Sequence, residues 1–142
     1  MKDMFGFKLD AGLYWLSPES LLERVRFHLG VDYFDACPHP RPADFDGLHV
    51  PWLRPTYVNP PFGPGLCNWA RKVLQESLLV PVAFVFPANR SSVLEILFRR
   101  NPSCIENLGP IKWLDVETGL PSKGRHQCCL MFVYRPYANI TG

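Results

Sequence analysis

The chain has 142 residues, 47% of them hydrophobic and 20% charged, with a net charge of +2. This fits one domain with an ordinary globular core, and the small charge neither demands nor excludes nucleic acid, because phosphate binding rests on a local basic patch. No apolar run of about 18 residues is present to cross a bilayer, and Met1 to Gly6 lack signal-peptide character, so a soluble cytoplasmic protein with no membrane partner is expected.

In chain order, residues 1 to 16 are aromatic-rich without clean periodicity. Ser17-Pro18-Glu19 predicts a helix start, with Ser17 as the N-cap and Pro18 at the first helical position. Leu21, Leu22, Val25 and Leu29 recur at helical spacing, and Gly30 stops the run. Val31 to Cys37 predicts a buried strand that runs into Pro38-His39-Pro40-Arg41-Pro42. Many of the fifteen prolines fall between Pro38 and Pro64, so this third of the chain is largely loop. Thr56-Tyr57-Val58 predicts a second strand, ended by Asn59-Pro60-Pro61. After Gly63-Pro64-Gly65, the residues Leu66, Trp69, Ala70, Val73, Leu74, Ser77 and Leu78 share one helical face. Val80 to Phe86 is continuously apolar, as in a strand buried on both faces of a parallel sheet. A short helix from about Ser92 to Arg100, a strand within 103–116 that turns at Gly109-Pro110, a polar loop over 117–126 and a strand from Cys128 to Tyr134 complete the pattern. Strands alternating with helices argue for an α/β fold with a mostly parallel sheet flanked by helices.

Five cysteines, an odd number, contain no Cys-x-x-Cys spacing; neither a disulfide framework nor a structural zinc is expected. Cys37-Pro38-His39 could open a metal site, but its other ligands would have to be scattered. Cys128 and Cys129 lie in an apolar run and read as small core residues.

In α/β sheets ligands gather beyond the carboxyl ends of the strands. That puts Asp35 to His39, Asn59 to Phe62 and Pro87 to Arg90 on one rim. Asn59-Pro60-Pro61-Phe62 is the sharpest feature. Its prolines fix the backbone and donate no hydrogen bonds, so local pairing cannot use every nearby carbonyl. The Asn59 side chain adds another acceptor. A fixed pair of acceptors suits a planar NH2 group and directs its lone pair towards a methyl sulfonium. Phe62 can stack on the base that carries the amine, or anchor the core. Asp35 reads as a ligand or as a turn residue, and His39 and His49 as loop histidines. Arg90, Arg99 and Arg100 suit either phosphate contact or a solvated helix face.

Asn59-Pro60-Pro61-Phe62 matches the (Asp/Asn/Ser)-Pro-Pro-(Tyr/Phe) motif of amino-methyltransferases, and the wider pattern resembles the phage-type DNA N6-adenine methyltransferases. Trp15-Leu16-Ser17-Pro18 is similar to that family's Trp-x-Thr-Pro element. Tyr33-Phe34-Asp35-Ala36-Cys37 resembles its strand ending in Asp and small residues, and Asp46-Gly47-Leu48 with Trp52 resembles its Asp-Gly-Leu…Trp spacer. Trp69 and Phe86-Pro87-Ala88 also match in order, so the resemblance runs over about residues 14 to 135. It implies a minimal Rossmann-like methyltransferase domain over residues 1–142, using S-adenosylmethionine, without a separate target-recognition domain. Catalysis would fall to Asn59, Pro60, Pro61 and Phe62. Ser17 and Pro18 would line the methionine end of the cofactor, Asp35, Ala36 and Cys37 would lie near it, and Asp46 would contact its adenosine part. No metal is implied. A Gly-rich loop after the first strand, common in methyltransferases, is replaced here by Cys37-Pro38-His39-Pro40, and the phage-type family also tends to lack it.

The implied partner is DNA in a phage or prokaryotic host, with the target adenine flipped out. Only residues 38–55 and 101–127 remain for DNA recognition, so either specificity is low or a second subunit, such as a homodimer partner, contributes. Cytosine N4 and a protein glutamine carry similar amines. A non-catalytic methyltransferase-like binding module is the other class of reading, and cofactor binding separates it from the enzyme.

Overall fold

The computed structural model describes residues 15–122 and 127–137. Nearly all of the opening aromatic segment and residues 123–126 of the polar loop lie outside the described residues. Helix α1 (Glu19–Leu29) buries Leu21, Val25 and Leu29, a spacing of four that forms one apolar stripe. Its start differs from expectation: Pro18 is the N-cap, and no side chain caps the helix. The Ser17 hydroxyl has other partners, described below.

Strand β1 is only Phe34–Asp35, shorter than the expected run from Val31 to Cys37. It is an edge strand paired only with β2 (Thr56–Val58), which leaves Val31 and Asp32 exposed. Helix α2 (Leu66–Glu76) buries Leu66, Trp69, Ala70 and Val73. It ends before Leu78, which is exposed despite its place in the periodic run. Strand β3 (Val82–Pro87) is buried at every position, as its apolar sequence requires. Helix α3 (Ser91–Leu97) stops earlier than expected. The chain turns there so that the Arg100 guanidinium donates to the Leu74 carbonyl at 2.9 Å and to the Ser77 hydroxyl, and lies over the Tyr134 ring. Arg100 is thus a tie between α2 and the end of α3, not a free phosphate ligand.

Strand β4 (Cys104–Pro110) follows, and Gly109 forms an irregularity within it rather than a separate turn: the register shifts between Asn107 and Gly109. Gly109 has a φ of 66°, a left-handed conformation that suits glycine. Strand β5 (Cys128–Tyr134) buries Cys129, but Cys128 at its start is exposed, so only one of the two cysteines is the core residue expected.

The strand order is β1-β2-β3-β5-β4. β1, β2 and β3 are parallel, whereas β5 runs against both of its neighbours, β3 and β4. The sheet is therefore mixed: β1 to β4 run one way, as a mostly parallel sheet requires, and β5 alone runs against them. A parallel return from β4 would need a crossover, usually helical, and the described part of the β4–β5 connection contains no helix. Side chains alternate across the sheet. Val58, Phe84, Phe86 and Phe132 pack with Trp69 and Val73 of α2 and Val93 of α3. Tyr57, Ala83, Val85 and Met131 pack with Leu21 and Val25 of α1 on the opposite face. The result is an α/β domain with helices on both faces of the sheet. Among the described residues no helix is long and apolar enough to cross a membrane.

Candidate active site

Because β1, β2 and β3 are parallel, with Phe34 opposite Thr56 and Thr56 opposite Val82, their carboxyl ends open on one rim. Asn59 leaves β2 there. The Pro61 carbonyl accepts the Gly63 N–H at 2.9 Å, closing a tight turn. The Arg90 guanidinium, from the loop after β3, donates to the Gly63 carbonyl at 3.3 Å. Two of the three predicted rim segments are thereby joined directly.

The Asn59 Nδ2 donates to Ser17 Oγ at 3.3 Å, and Ser17 Oγ shares a 2.7 Å hydrogen bond with Tyr57 Oη. Burial pushes the Tyr57 phenol far above its ordinary value, with the Ser17 bond opposing, so Tyr57 stays neutral. Among the described residues no donor reaches Asn59 Oδ1 or the Pro60 carbonyl. Among the described residues these two acceptors are therefore unengaged, on backbone fixed by two prolines. Phe62 is half-buried. Its ring meets Trp113 edge-on, with centroids 5.7 Å apart, so it anchors the strip to the α1 side of the core while part of it faces the rim.

At the end of β1, the Ala36 N–H donates to the Tyr57 carbonyl at 3.0 Å. Asp35 Oδ1 accepts the Cys37 N–H at 2.9 Å, the Asx turn that an aspartate readily makes. Burial raises the Asp35 carboxyl above its ordinary value, and the Cys37 amide only partly offsets this. Its Oδ2 accepts no hydrogen bond from the described residues. Burial, reinforced by Asp35, holds the Cys37 thiol well above its usual value although the Asn59 backbone N–H bonds to it. Cys37 is thus a packed neutral thiol, not a nucleophile.

Gly47 brings Asp46 to the same place. A Cβ on Gly47 would lie 1.9 Å from the Ala36 carbonyl oxygen, so only glycine permits this approach. The buried Trp52 indole N–H fastens the loop by donating to the Gly47 carbonyl at 2.9 Å. The Asp46 carboxylate serves its own turn, accepting the Leu48 N–H at 3.0 Å and meeting His49 Nδ1 at 2.6 Å. Burial opposes its ionisation, yet these bonds hold it below the ordinary carboxyl value.

All predicted site residues therefore lie on or beside one rim: Ser17 and Pro18 at the head of α1, Asp35 to Cys37 after β1, Asp46 against Ala36, and Asn59 to Phe62 after β2. Tyr57, Arg90 as the clasp on Gly63, and Trp113 complete the site. Tyr57 was detectable in principle, since in a strand the residue two before Asn59 faces the same side. Trp113 carried no local signal. No protein-family model matches the chain, and no curated protein matches it.

Proposed function

We propose that the chain is an S-adenosylmethionine-dependent N-methyltransferase of Rossmann-like fold that methylates N6 of adenine in DNA. The observation that carries this reading is the pair of unengaged acceptors, Asn59 Oδ1 and the Pro60 carbonyl, on a rigid segment at the carboxyl end of β2. An exocyclic NH2 offers two donors to such a pair. The mixed α/β sheet is compatible with this fold.

When bound, the cofactor supplies a methyl group on a positively charged sulfur. The residues at the end of β1 suit it: Asp35 keeps one carboxylate oxygen for an ammonium or hydroxyl group, and Ser17 and Pro18 stand across from it at the head of α1. Ala36, Gly47 and the neutral Cys37 offer a close, weakly polar wall, and Asp46 lies beside them. Asn59 would hold the target amine through Oδ1, with Ser17 preventing rotation of its carboxamide. That bond strengthens as the nitrogen becomes positive, so it favours the transition state over the ground state. No base is required before attack, and the surplus proton leaves to solvent afterwards. Phe62 would stack on the base, flipped out of duplex DNA.

Incubation with methyl-labelled cofactor and mixed-sequence DNA, followed by mass spectrometry of the nucleosides, tests this. Label on N6 of deoxyadenosine is expected. Label on N4 of deoxycytidine would retain the role of the strip and change the base. No transfer to nucleic acid or protein, with no cofactor binding by calorimetry, would overturn the reading.

A further inference from the structure

A second cluster lies on the edge strand, on the face covered by α1. Arg24 and His28 are one turn apart on α1, and Cys104 and Glu106 share a face of β4. The ligand atoms of His28, Cys104 and Glu106 all lie within 4.8 Å of one another, and each residue is partly buried. His28 Nε2 bonds to Glu106 Oε2, while Arg24 Nε donates to Oε1 at 2.9 Å.

We propose that His28, Cys104 and Glu106 form a binding site for a zinc-type divalent cation. Imidazole nitrogen, thiolate sulfur and carboxylate oxygen are the three ligand types that zinc takes, and the sulfur disfavours calcium and magnesium. Metal–ligand distances of about 2.0–2.3 Å put tetrahedral ligands roughly 3.3–3.7 Å apart, so a modest contraction of the cluster suffices. Arg24 occupies only Oε1, so Oε2 can turn from His28 to the metal while the ion pair persists and orients the carboxylate. Thiolate and carboxylate together balance a divalent charge. His28 also lies in the last turn of α1, where the helix dipole favours a cation. Binding replaces the S–H bond of Cys104 with an S–metal bond and releases that proton to solvent.

Three protein ligands leave the fourth position for water. The cluster stands on β4, three strands from β2 in the sheet order, roughly 14 Å at ordinary strand spacing. The metal would therefore lie apart from the rim after β2, joining the last turn of α1 to the edge of the sheet with one coordination position open to water. Sequence spacing could not show this site, because His28 lies far along the chain from Cys104 and Glu106. The proposal does not depend on the reaction assigned above.

The test is titration of the reduced protein with Zn2+ by calorimetry and with Co2+ by absorption. One metal per chain is expected, with a thiolate-to-cobalt charge-transfer band and the visible bands of tetrahedral cobalt. Cys104→Ser should abolish the charge-transfer band, and it and His28→Gln should each weaken binding about tenfold or more. Cys67→Ser should leave both unchanged. Alkylation of Cys104 in the wild-type protein, followed by peptide mass spectrometry, should slow on adding Zn2+, a readout that survives if a variant fails to fold. Failure of the folded protein to bind either metal, binding unaltered by Cys104→Ser, or alkylation indifferent to Zn2+ would each overturn the proposal.

Discussion

At Asn59 the backbone and the side chain have separate tasks. The backbone N–H offsets part of the burial that raises the Cys37 thiol, while Nδ2 is held by Ser17, which leaves Oδ1 for the amine of the proposed substrate. Asn59→Ala should therefore lower methyl transfer by about a hundredfold or more. Thermal stability and cofactor affinity should be nearly unchanged by calorimetry, and Asn59→Asp should retain part of the activity. Ser17 is the second test. It does not cap α1, so Ser17→Ala should cost the helix little, but it removes the partner of the buried Tyr57 hydroxyl, a loss of about 1–3 kcal/mol. Ser17→Ala combined with Tyr57→Phe removes both partners, and urea denaturation should find the pair more stable than Ser17→Ala alone. Asp35 gives a pH dependence. Its raised folded pKa means that its contribution to stability is fully present below the ordinary carboxyl range and is lost as pH rises through the folded value. Asp35→Asn keeps the Oδ1 acceptor for Cys37 without that loss. It should be more stable than wild type at neutral pH, with the gap closing in acid, while cofactor binding weakens. Equilibrium denaturation at the two pH values decides this.

Among the elements, the loop between β1 and β2 makes the sharpest demand on sequence. Gly47→Ala would drive a methyl into the Ala36 carbonyl, and that neighbour is backbone just past the end of β1, tied to β2 through the Tyr57 carbonyl. A loss of about 1–3 kcal/mol or more is expected by denaturation, with weaker cofactor binding as Asp46 and the end of β1 move apart. Elements with a strong period were legible from sequence: β3 as a continuous apolar run, α2 as an apolar stripe, β2 by its abrupt stop at the prolines. The length of β1 was not, because Val31 is apolar yet lies exposed before the strand begins. The direction of β5 was not, because side-chain alternation is identical in parallel and antiparallel strands. At the candidate site, the position of the Asn-Pro-Pro-Phe strip after β2 was legible because a strand stopped by two prolines is a local signal. The role of Ser17 was not: a serine before Pro-Glu gives the signal of a helix cap, and nothing local reveals that its hydroxyl reaches Tyr57, far along the chain.

Over the whole molecule, the net charge is only +2, and among the described residues several cationic side chains serve the fold. Arg24, Arg26, Arg54 and Lys72 pair with Glu106, Glu19, Asp32 and Glu76, and Arg100 ties the C-terminal ends of α2 and α3. DNA affinity should therefore be low and carried by a few phosphate contacts, falling as salt rises. Fluorescence anisotropy across a salt series measures this, and a tight complex unaffected by high salt would contradict it. The place of β5 bears on how such a chain is made. Among the described residues it is the last strand in the sequence, yet it is the second neighbour of β3 and the sole neighbour of β4. A nascent chain on the ribosome can pair β1, β2 and β3 as they emerge, but β4 stays unpaired until residues 128–134 clear the exit tunnel. During that interval one edge of β3 and both edges of β4 are open to pairing with other nascent chains. Synthesis that stopped before Cys128 would release a half-sheet in need of a chaperone, whereas a chain carrying all of residues 128–134 could insert the strand that closes it.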